Sequence, residues 1–196
     1  MKKVLTFILV LSILCSIPAF AFAETPTSAE AVTEYLWSDA EAAVKNSGVA
    51  GRFVKFDEVT LTFWLPDIYK DVLDQEDKDD GFIGVFKTED DDGYVGVTYD
   101  KSDWDTLEAY LAELLEDDDF IAPEIIHVNG LEAVQYMMLD EEAKETTFYV
   151  FEDFITNGGN LVSFCIYPLT EDEDIQVLTE AIISSIMTED DLAKAA

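Results

Sequence analysis

Apolar residues recur at helical spacing in three segments of the chain. In each segment they follow a capping-box pattern, in which a hydroxyl side chain precedes an acidic one by three positions. The predicted helices begin at Thr27, Ser102 and Thr170, and the first of them ends at Gly48. Each helix carries one apolar stripe and therefore needs a surface to pack against.

Between the helices the spacing of apolar residues changes to two, which is typical of β-strands. The predicted strands cover residues 53–56, 61–65, 82–87, 94–99, 121–128, 131–139, 146–155 and 161–167. Asn129 and Gly130 separate two of these strands, and both suit the positive φ angles of a type I′ hairpin turn. A further short helix is predicted between residues 66 and 80.

Tight turns join most neighbouring strands, and such turns require antiparallel pairing. Two strands are apolar at successive positions, over Phe148–Phe151 and Phe164–Tyr167, which indicates that both faces of the sheet are covered. The sequence therefore predicts an α+β fold. Its centre is an antiparallel β-sheet of about six to eight strands with helices on both faces, an α/β/α sandwich, in one domain.

Two segments carry a resemblance to a known superfamily. Phe63–Tyr69, a strand that runs into a proline and then an aromatic residue, resembles the opening of Mog1/PsbP-like domains. Leu161–Tyr167, followed by a helix to Ile186, is similar to their last strand and helix. The resemblance spans about residues 51–188 and implies their sandwich fold. It also implies a non-enzymatic role, since members support an oxygen-evolving photosystem or bind a nuclear transport GTPase, and many exported bacterial members have no known role.

The first 23 residues have the pattern of a signal peptide. Two lysines precede an apolar run from Val4 to Ile17, and Ala21 and Ala23 supply the small residues that a signal peptidase recognises. Cleavage near Ala23 would leave residues 24–196 as the mature domain, in the cell envelope or secreted. The alternative is a membrane anchor, but the apolar run is shorter than the roughly 20 residues that a span needs.

Cys15 raises a second alternative, in which a cysteine at the cleavage point is lipidated. Leu14 stands directly before it, where that processing needs a small residue. We therefore expect an exported protein without a lipid anchor.

The charge of the chain excludes two kinds of partner. Its 43 acidic and 11 basic residues give a formal charge of −32, which becomes −34 when the two lysines of residues 1–23 are removed. Such a surface repels phosphate backbones and anionic lipid, so we expect neither nucleic-acid binding nor a membrane association. A monomer is expected, with an unidentified protein or small ligand as its partner outside the cytoplasm.

The sequence lacks the residues that several kinds of catalysis need. His127 is the one histidine, and Cys165 is the one cysteine that follows the predicted cleavage point. This excludes histidine-rich zinc sites and an intramolecular disulfide. The sequence has no phosphate-binding loop, dinucleotide fingerprint or nucleophile elbow. No cofactor is predicted, and we expect a non-catalytic binding or accessory protein. The alternative is a carboxylate-dependent extracellular hydrolase, because acidic residues are abundant.

Acidic runs gather at one end of the predicted sheet, which we call the acidic end. If successive elements cross the sheet alternately up and down, residues 89–92, 116–119, 140–142 and 171–174 all fall there. Carboxylate oxygens suit a hard cation such as calcium, and the same charge would dock a basic partner. The candidate metal ligands are Asp91, Asp92, Asp117, Asp118 and Asp172.

The simpler interpretation, which the sequence favours, is that these runs are solvated loops that confer solubility. No EF-hand pattern supports calcium, since placing Gly93 at the sixth position puts Thr88 first and Tyr99 twelfth. One run does need another explanation. Residues 116–119 end a predicted helix, where acidic charge costs about 0.3–1 kcal/mol.

Overall fold

The computed structural model of the chain describes residues 32–89, 93–139, 145–152, 159–167 and 173–195. The predicted signal peptide and the capping patterns at Thr27 and Thr170 lie outside the described residues. So do the candidate ligands Asp91, Asp92 and Asp172. Within the described ranges, none of the helices is both long and apolar enough to cross a membrane.

The elements follow one another in the order β1 (Thr33–Tyr35), α1 (Trp37–Ser47), β2 (Gly51–Lys55), β3 (Leu61–Pro66), β4 (Lys70–Asp71), α2 (Gln75–Asp79), β5 (Phe82–Lys87), β6 (Tyr94–Lys101), α3 (Leu107–Leu114), β7 (Ile121–Val128), β8 (Leu131–Leu139), β9 (Glu145–Glu152), β10 (Asn160–Tyr167), α4 (Glu173–Ser184), β11 (Met187–Thr188) and α5 (Glu189–Ala195). The predicted α+β class is confirmed. The strands at 82–87, 121–128 and 131–139 have the predicted bounds.

The main sheet has eight strands in the order β1-β7-β8-β9-β10-β6-β5-β4. All its neighbouring pairs are antiparallel except β1 with β7, which is parallel. The predicted strand number is therefore correct, and the sheet is mixed at one edge. The short strand β1 was not predicted, because three residues give too little alternation to reveal a strand.

A second sheet covers one face of the main sheet. It has three strands in the order β11-β3-β2, so the predicted hairpin at residues 53–65 exists but belongs to this second sheet. Every residue of β3 is buried. Phe63 packs into the core against Phe164 of β10, with ring centroids 5.4 Å apart, while Trp64 on the opposite side packs with residues of α1 and α4.

The main sheet is covered on both faces, as predicted. We call the face that packs against β3 and α4 the inner face, and the face that packs against α3 the outer face. Ile182 of α4 and Ile186, which follows the helix, belong to the inner core. Leu107 and Tyr110 of α3 pack on the outer face against Tyr136 of β8. Trp37 of α1, Trp64 of β3 and Trp104, which precedes α3, belong to these packed clusters.

The first predicted helix is wrong at its beginning. α1 starts at Trp37 with Leu36 as its N-cap, and Leu36 has no side chain that can cap it. The preceding residues form β1 because Tyr35 packs its ring edge-on against Tyr149 of β9, at a centroid distance of 6.4 Å. The predicted end at Gly48 is confirmed, since Gly48 has φ 69°.

Two further helix predictions need correction. Residues 66–80 contain β4 and then α2, which is shifted towards the acidic residues because Asp74 and Asp77 cap it reciprocally. Tyr69 is fully buried in the inner core and stands outside any helix. α3 begins after Thr106, whose hydroxyl accepts a hydrogen bond from Ala109 N, and not at Ser102.

The turn between β7 and β8 has the predicted geometry and a second role. Asn129 and Gly130 have φ 49° and 79°, as a type I′ turn requires. The Asn129 side chain points into the protein: its Oδ1 accepts from Trp37 N at 2.9 Å, and its Nδ2 donates to the carbonyl oxygens of Ser184 at 2.7 Å and Ile186 at 2.9 Å. One side chain thus caps the beginning of α1 and the end of α4.

Candidate functional site

Strand register places the acidic runs along one end of the main sheet. The pairing brings together the end of β5 with the start of β6, the end of β10 with the start of β9, and the end of β8 with the start of β7. Loops that leave these six strand ends contain or adjoin the acidic runs. The residues of the acidic end whose side chains the structure describes are Glu89 and Glu116–Asp119, and Glu145 at the start of β9 is now added to them; all are exposed.

The acidic end is long. Strands β6 and β7 are separated by β8, β9 and β10, so the strand ends that adjoin residues 89–92 and 116–119 lie about 19 Å apart at a spacing of roughly 4.8 Å per strand. Calcium ligands lie about 2.5 Å from the ion. The two strand ends alone therefore do not bring both runs to one ion.

Asp117 and Asp118, the two candidate ligands that the structure describes, lie in the loop between α3 and β7. Both are exposed. The Asp117 carboxylate accepts a hydrogen bond from Asp119 N at 2.9 Å, so it shapes the turn after the helix. Among the described residues, no three His, Cys, Asp or Glu side chains are grouped closely enough to hold a metal ion. A metal site at these residues stays a prediction.

In the part of the chain that the structure describes, no ion pair joins a carboxylate of the acidic end to a lysine or arginine. The ion pairs between Lys or Arg and carboxylates in the described part of the chain lie elsewhere; they join Lys45 to Glu41, Arg52 to Asp67, Lys55 to Glu189, and Lys194 to Asp191. Lys87 ends β5 at this end, and its Nζ stands 6.0 Å from the centroid of the Tyr94 ring. The carboxylates of Glu116–Asp119 are thus solvated and, among the described residues, unpaired with any base.

Exposed apolar side chains also lie at the acidic end. Leu139 ends β8 and is 51% exposed, while Ile121 begins β7 and is 37% exposed. Ile121 stands opposite Met137 in the β7–β8 register, and Met137 precedes Leu139 by two residues on the same face. We call Ile121, Met137 and Leu139 the apolar corner. Sequence reasoning missed it, because strand residues of this kind are expected in the core.

The residues best suited to nucleophilic or base catalysis are placed unfavourably for it. Burial raises the pKa of the Cys165 thiol to about 12, so the thiol is protonated at neutral pH and is a poor nucleophile. His127 is half-buried on β7, and its Nε2 lies 3.9 Å from a carboxylate oxygen of Glu132.

Among the residues that the structure describes, the two carboxyl groups with a displaced pKa are both shifted down. Hydrogen bonds from its own backbone amide and from Thr106 lower the pKa of Glu108, and those from Lys194 and Thr188 lower the pKa of Asp191. A general acid needs a shift in the opposite direction. Neither group therefore has the property that a carboxylate-dependent hydrolase needs.

A shallow depression lies beside the start of α3. It holds about 170 Å³, a volume that includes open solvent, and it is lined by Ser102, Trp104 and Asn160 among others. The Ser102 hydroxyl donates to Trp104 O, the Trp104 indole N–H donates to Glu113, and the Asn160 amide donates to the Tyr99 hydroxyl. These polar groups are occupied within the protein, so the depression offers few of them to a ligand.

Comparison with solved structures identifies the fold. The chain is similar to the solution structure of cyanobacterial PsbP (CyanoP) from Synechocystis sp. PCC 6803, with a TM-score of 0.50 and 15% identity over 71% of this chain and 93% of that one. A crystal structure from Bacteroides thetaiotaomicron matches with a TM-score of 0.41 and 14% identity over 66% of this chain and 45% of that one. No protein-family model and no curated protein sequence matches. The chain therefore has a Mog1/PsbP-like fold, which confirms the resemblance.

Proposed function

We propose that this protein is an exported, non-catalytic binding or accessory protein that docks a basic protein partner through the acidic end of its main sheet. The observation that carries the proposal is the combination at this end of carboxylates unpaired in the described residues with exposed apolar side chains. Solubility alone explains the carboxylates. It does not account for Leu139 and Ile121, which stand together on neighbouring strands, and adjoining exposed apolar side chains are typical of interaction surfaces.

The physical argument concerns free energy in the unbound state. Like charges along one end of the sheet repel each other, and no ion pair among the described residues joins one of them to a lysine or arginine. A basic partner removes that repulsion and is steered towards the same end before contact, so it gains both in association rate and in complex stability. The non-enzymatic role that the resemblance implies supports the same proposal.

The experiment measures binding of oligolysine to the purified protein by calorimetry, at low and at physiological salt. Four acidic-end residues are neutralised together in Glu116→Gln, Asp117→Asn, Asp118→Asn and Asp119→Asn. Asn keeps the oxygen that accepts from the Asp119 amide. The matched control neutralises four exposed acids elsewhere, in Asp57→Asn, Glu58→Gln, Glu76→Gln and Asp80→Asn.

Both variants have the same net charge, so their difference reports position. We expect the acidic-end variant to bind about tenfold more weakly than the control variant, and the salt dependence of binding to fall with it. Equal weakening in the two variants would mean that oligolysine responds to net charge alone, and the proposal would then be wrong.

A further inference from the structure

We propose that the apolar corner and the carboxylates beside it dock a cationic amphipathic segment of a partner protein, one that carries basic and apolar side chains on the same face. The inference rests on the proposed function. It goes further by naming the surface that makes contact and the chemistry of the segment that binds there.

The apolar corner is an uncovered part of the inner face. Leu131 and Ala133 lie earlier on the same face of β8 and pack into the inner core, whereas Leu139 on that face is 51% exposed. Ile121 and Met137 stand opposite each other on β7 and β8. The sheet face is thus closed over its middle by β3 and α4 and open at the corner where β7 begins and β8 ends.

Carboxylates border the apolar corner on the same face. Glu145 is the register partner of Leu139, and Glu124 lies on β7 opposite Gln135, which shares the inner face with Met137. Both glutamates are exposed. Neither takes part in an ion pair among the described residues. The pattern is therefore a small apolar surface with negative charge directly beside it.

The negative charge of this surface indicates which kind of ligand binds there. A second copy of the chain would bring the same formal charge of −32 to the contact, and an anionic membrane surface is repelled for the same reason. A neutral apolar ligand would cover the corner but would desolvate Glu145 without pairing it, which is unfavourable. A segment with basic and apolar side chains on one face buries Leu139 and Ile121 and pairs the glutamates at once.

The test uses two short probe peptides with equal charge. In one, two Lys and two Leu follow each other in turn, so that each face of the extended peptide carries both; in the other, every Leu is replaced by Ser. The purified protein is compared with the double variant Ile121→Ser, Leu139→Ser. The control is Ile68→Ser, which removes an apolar side chain of similar exposure, 44%, just before β4 at the edge of the main sheet opposite the apolar corner. Thermal unfolding of each variant checks that it is folded, and the peptide comparison on the unsubstituted protein needs no variant.

We expect the Lys/Leu peptide to bind more tightly than the Lys/Ser peptide, and the double variant to lose about tenfold in affinity for the first peptide only. Equal affinity of the unsubstituted protein for the two peptides would overturn the inference. Equal losses of affinity for the Lys/Leu peptide in the double variant and in Ile68→Ser would also overturn it. The same holds if the double variant loses affinity only because it associates with itself. If the double variant binds normally while the acidic-end charge variant does not, the proposed function stands and this inference fails. If neither variant differs from the unsubstituted protein, both fail.

Discussion

The end of the main sheet that carries the β7–β8 turn differs from the acidic end in how its polar groups are used. At the turn, the Asn129 side chain makes three hydrogen bonds to backbone atoms of α1 and of the segment that follows α4. Nearby, the buried Ser185 hydroxyl accepts from Trp64 N at 2.7 Å. At the acidic end, the described carboxylates are solvated and apolar side chains are exposed. Stability is therefore concentrated at one end, which leaves the other free for interaction.

The largest expected effect is at the turn. Asn129→Ala leaves Trp37 N and two carbonyl oxygens without their partner and places a residue with a Cβ but no compensating bond at φ 49°. We expect a loss of about 3 kcal/mol or more in the free energy of unfolding, measured by denaturant titration. Asn129→Gly removes the hydrogen bonds without the backbone strain, so the difference between the two variants gives the contribution of the strain. A loss below about 1 kcal/mol in the alanine variant would contradict this account of the turn.

The next effect concerns Ser185, which bonds α4 to the second sheet. Its hydroxyl accepts from Trp64 N and donates to Ile182 O at 2.6 Å, in a fully buried position. Ser185→Ala leaves the Trp64 N–H unsatisfied, so we expect a loss of about 1–3 kcal/mol in the same titration. Ser38→Ala, at an exposed position, is the control and should change stability little. Equal stability of both variants would show that water replaces the hydroxyl.

At the acidic end, a substitution should raise the free energy of unfolding instead of lowering it. Asp117 and Asp118 follow α3, where negative charge opposes the helix dipole, and they stand among other carboxylates. Asp118→Asn should therefore stabilise the protein, by about 0.3–1 kcal/mol at low salt, and salt should reduce the gain. A destabilised variant would mean that the Asp118 carboxylate has a favourable partner in the folded protein.

The smallest expected effect is that of calcium on thermal unfolding. Because the described residues contain no grouped set of metal ligands, calcium, magnesium and sodium chloride at matched ionic strength should shift the midpoint similarly. A rise specific to calcium at sub-millimolar concentration would instead support the predicted ligands Asp91, Asp92, Asp117, Asp118 and Asp172.

Local patterns in the sequence predicted the helices and strands that residues close together in the chain determine. The strands at 121–128 and 131–139 have the expected bounds because alternation and the Asn129-Gly130 turn lie within them. β1 and β11 were missed because each is too short to show a pattern and exists through pairing with a distant strand. The beginning of α1 was wrong for the same reason, since its cap is Asn129, which is 92 residues away.

The candidate site likewise has one part that the sequence predicts and one part that it does not. The acidic end follows from counting tight turns, which a sequence shows. The apolar corner does not, because Ile121 and Leu139 have the spacing of core residues, and their exposure depends on where β3 and α4 stop covering the sheet. One signal was present in the sequence: both residues terminate strands directly beside acidic runs.

The most direct test of the central claim is to map peptide binding by amide chemical shifts. The Lys/Leu peptide is added to isotope-labelled protein, and the perturbed backbone amides are assigned. The account predicts that the largest shifts fall on residues 116–121, 137–139 and 145, at the acidic end. Shifts concentrated instead around Asn129 or around the depression at Ser102 and Asn160 would contradict it.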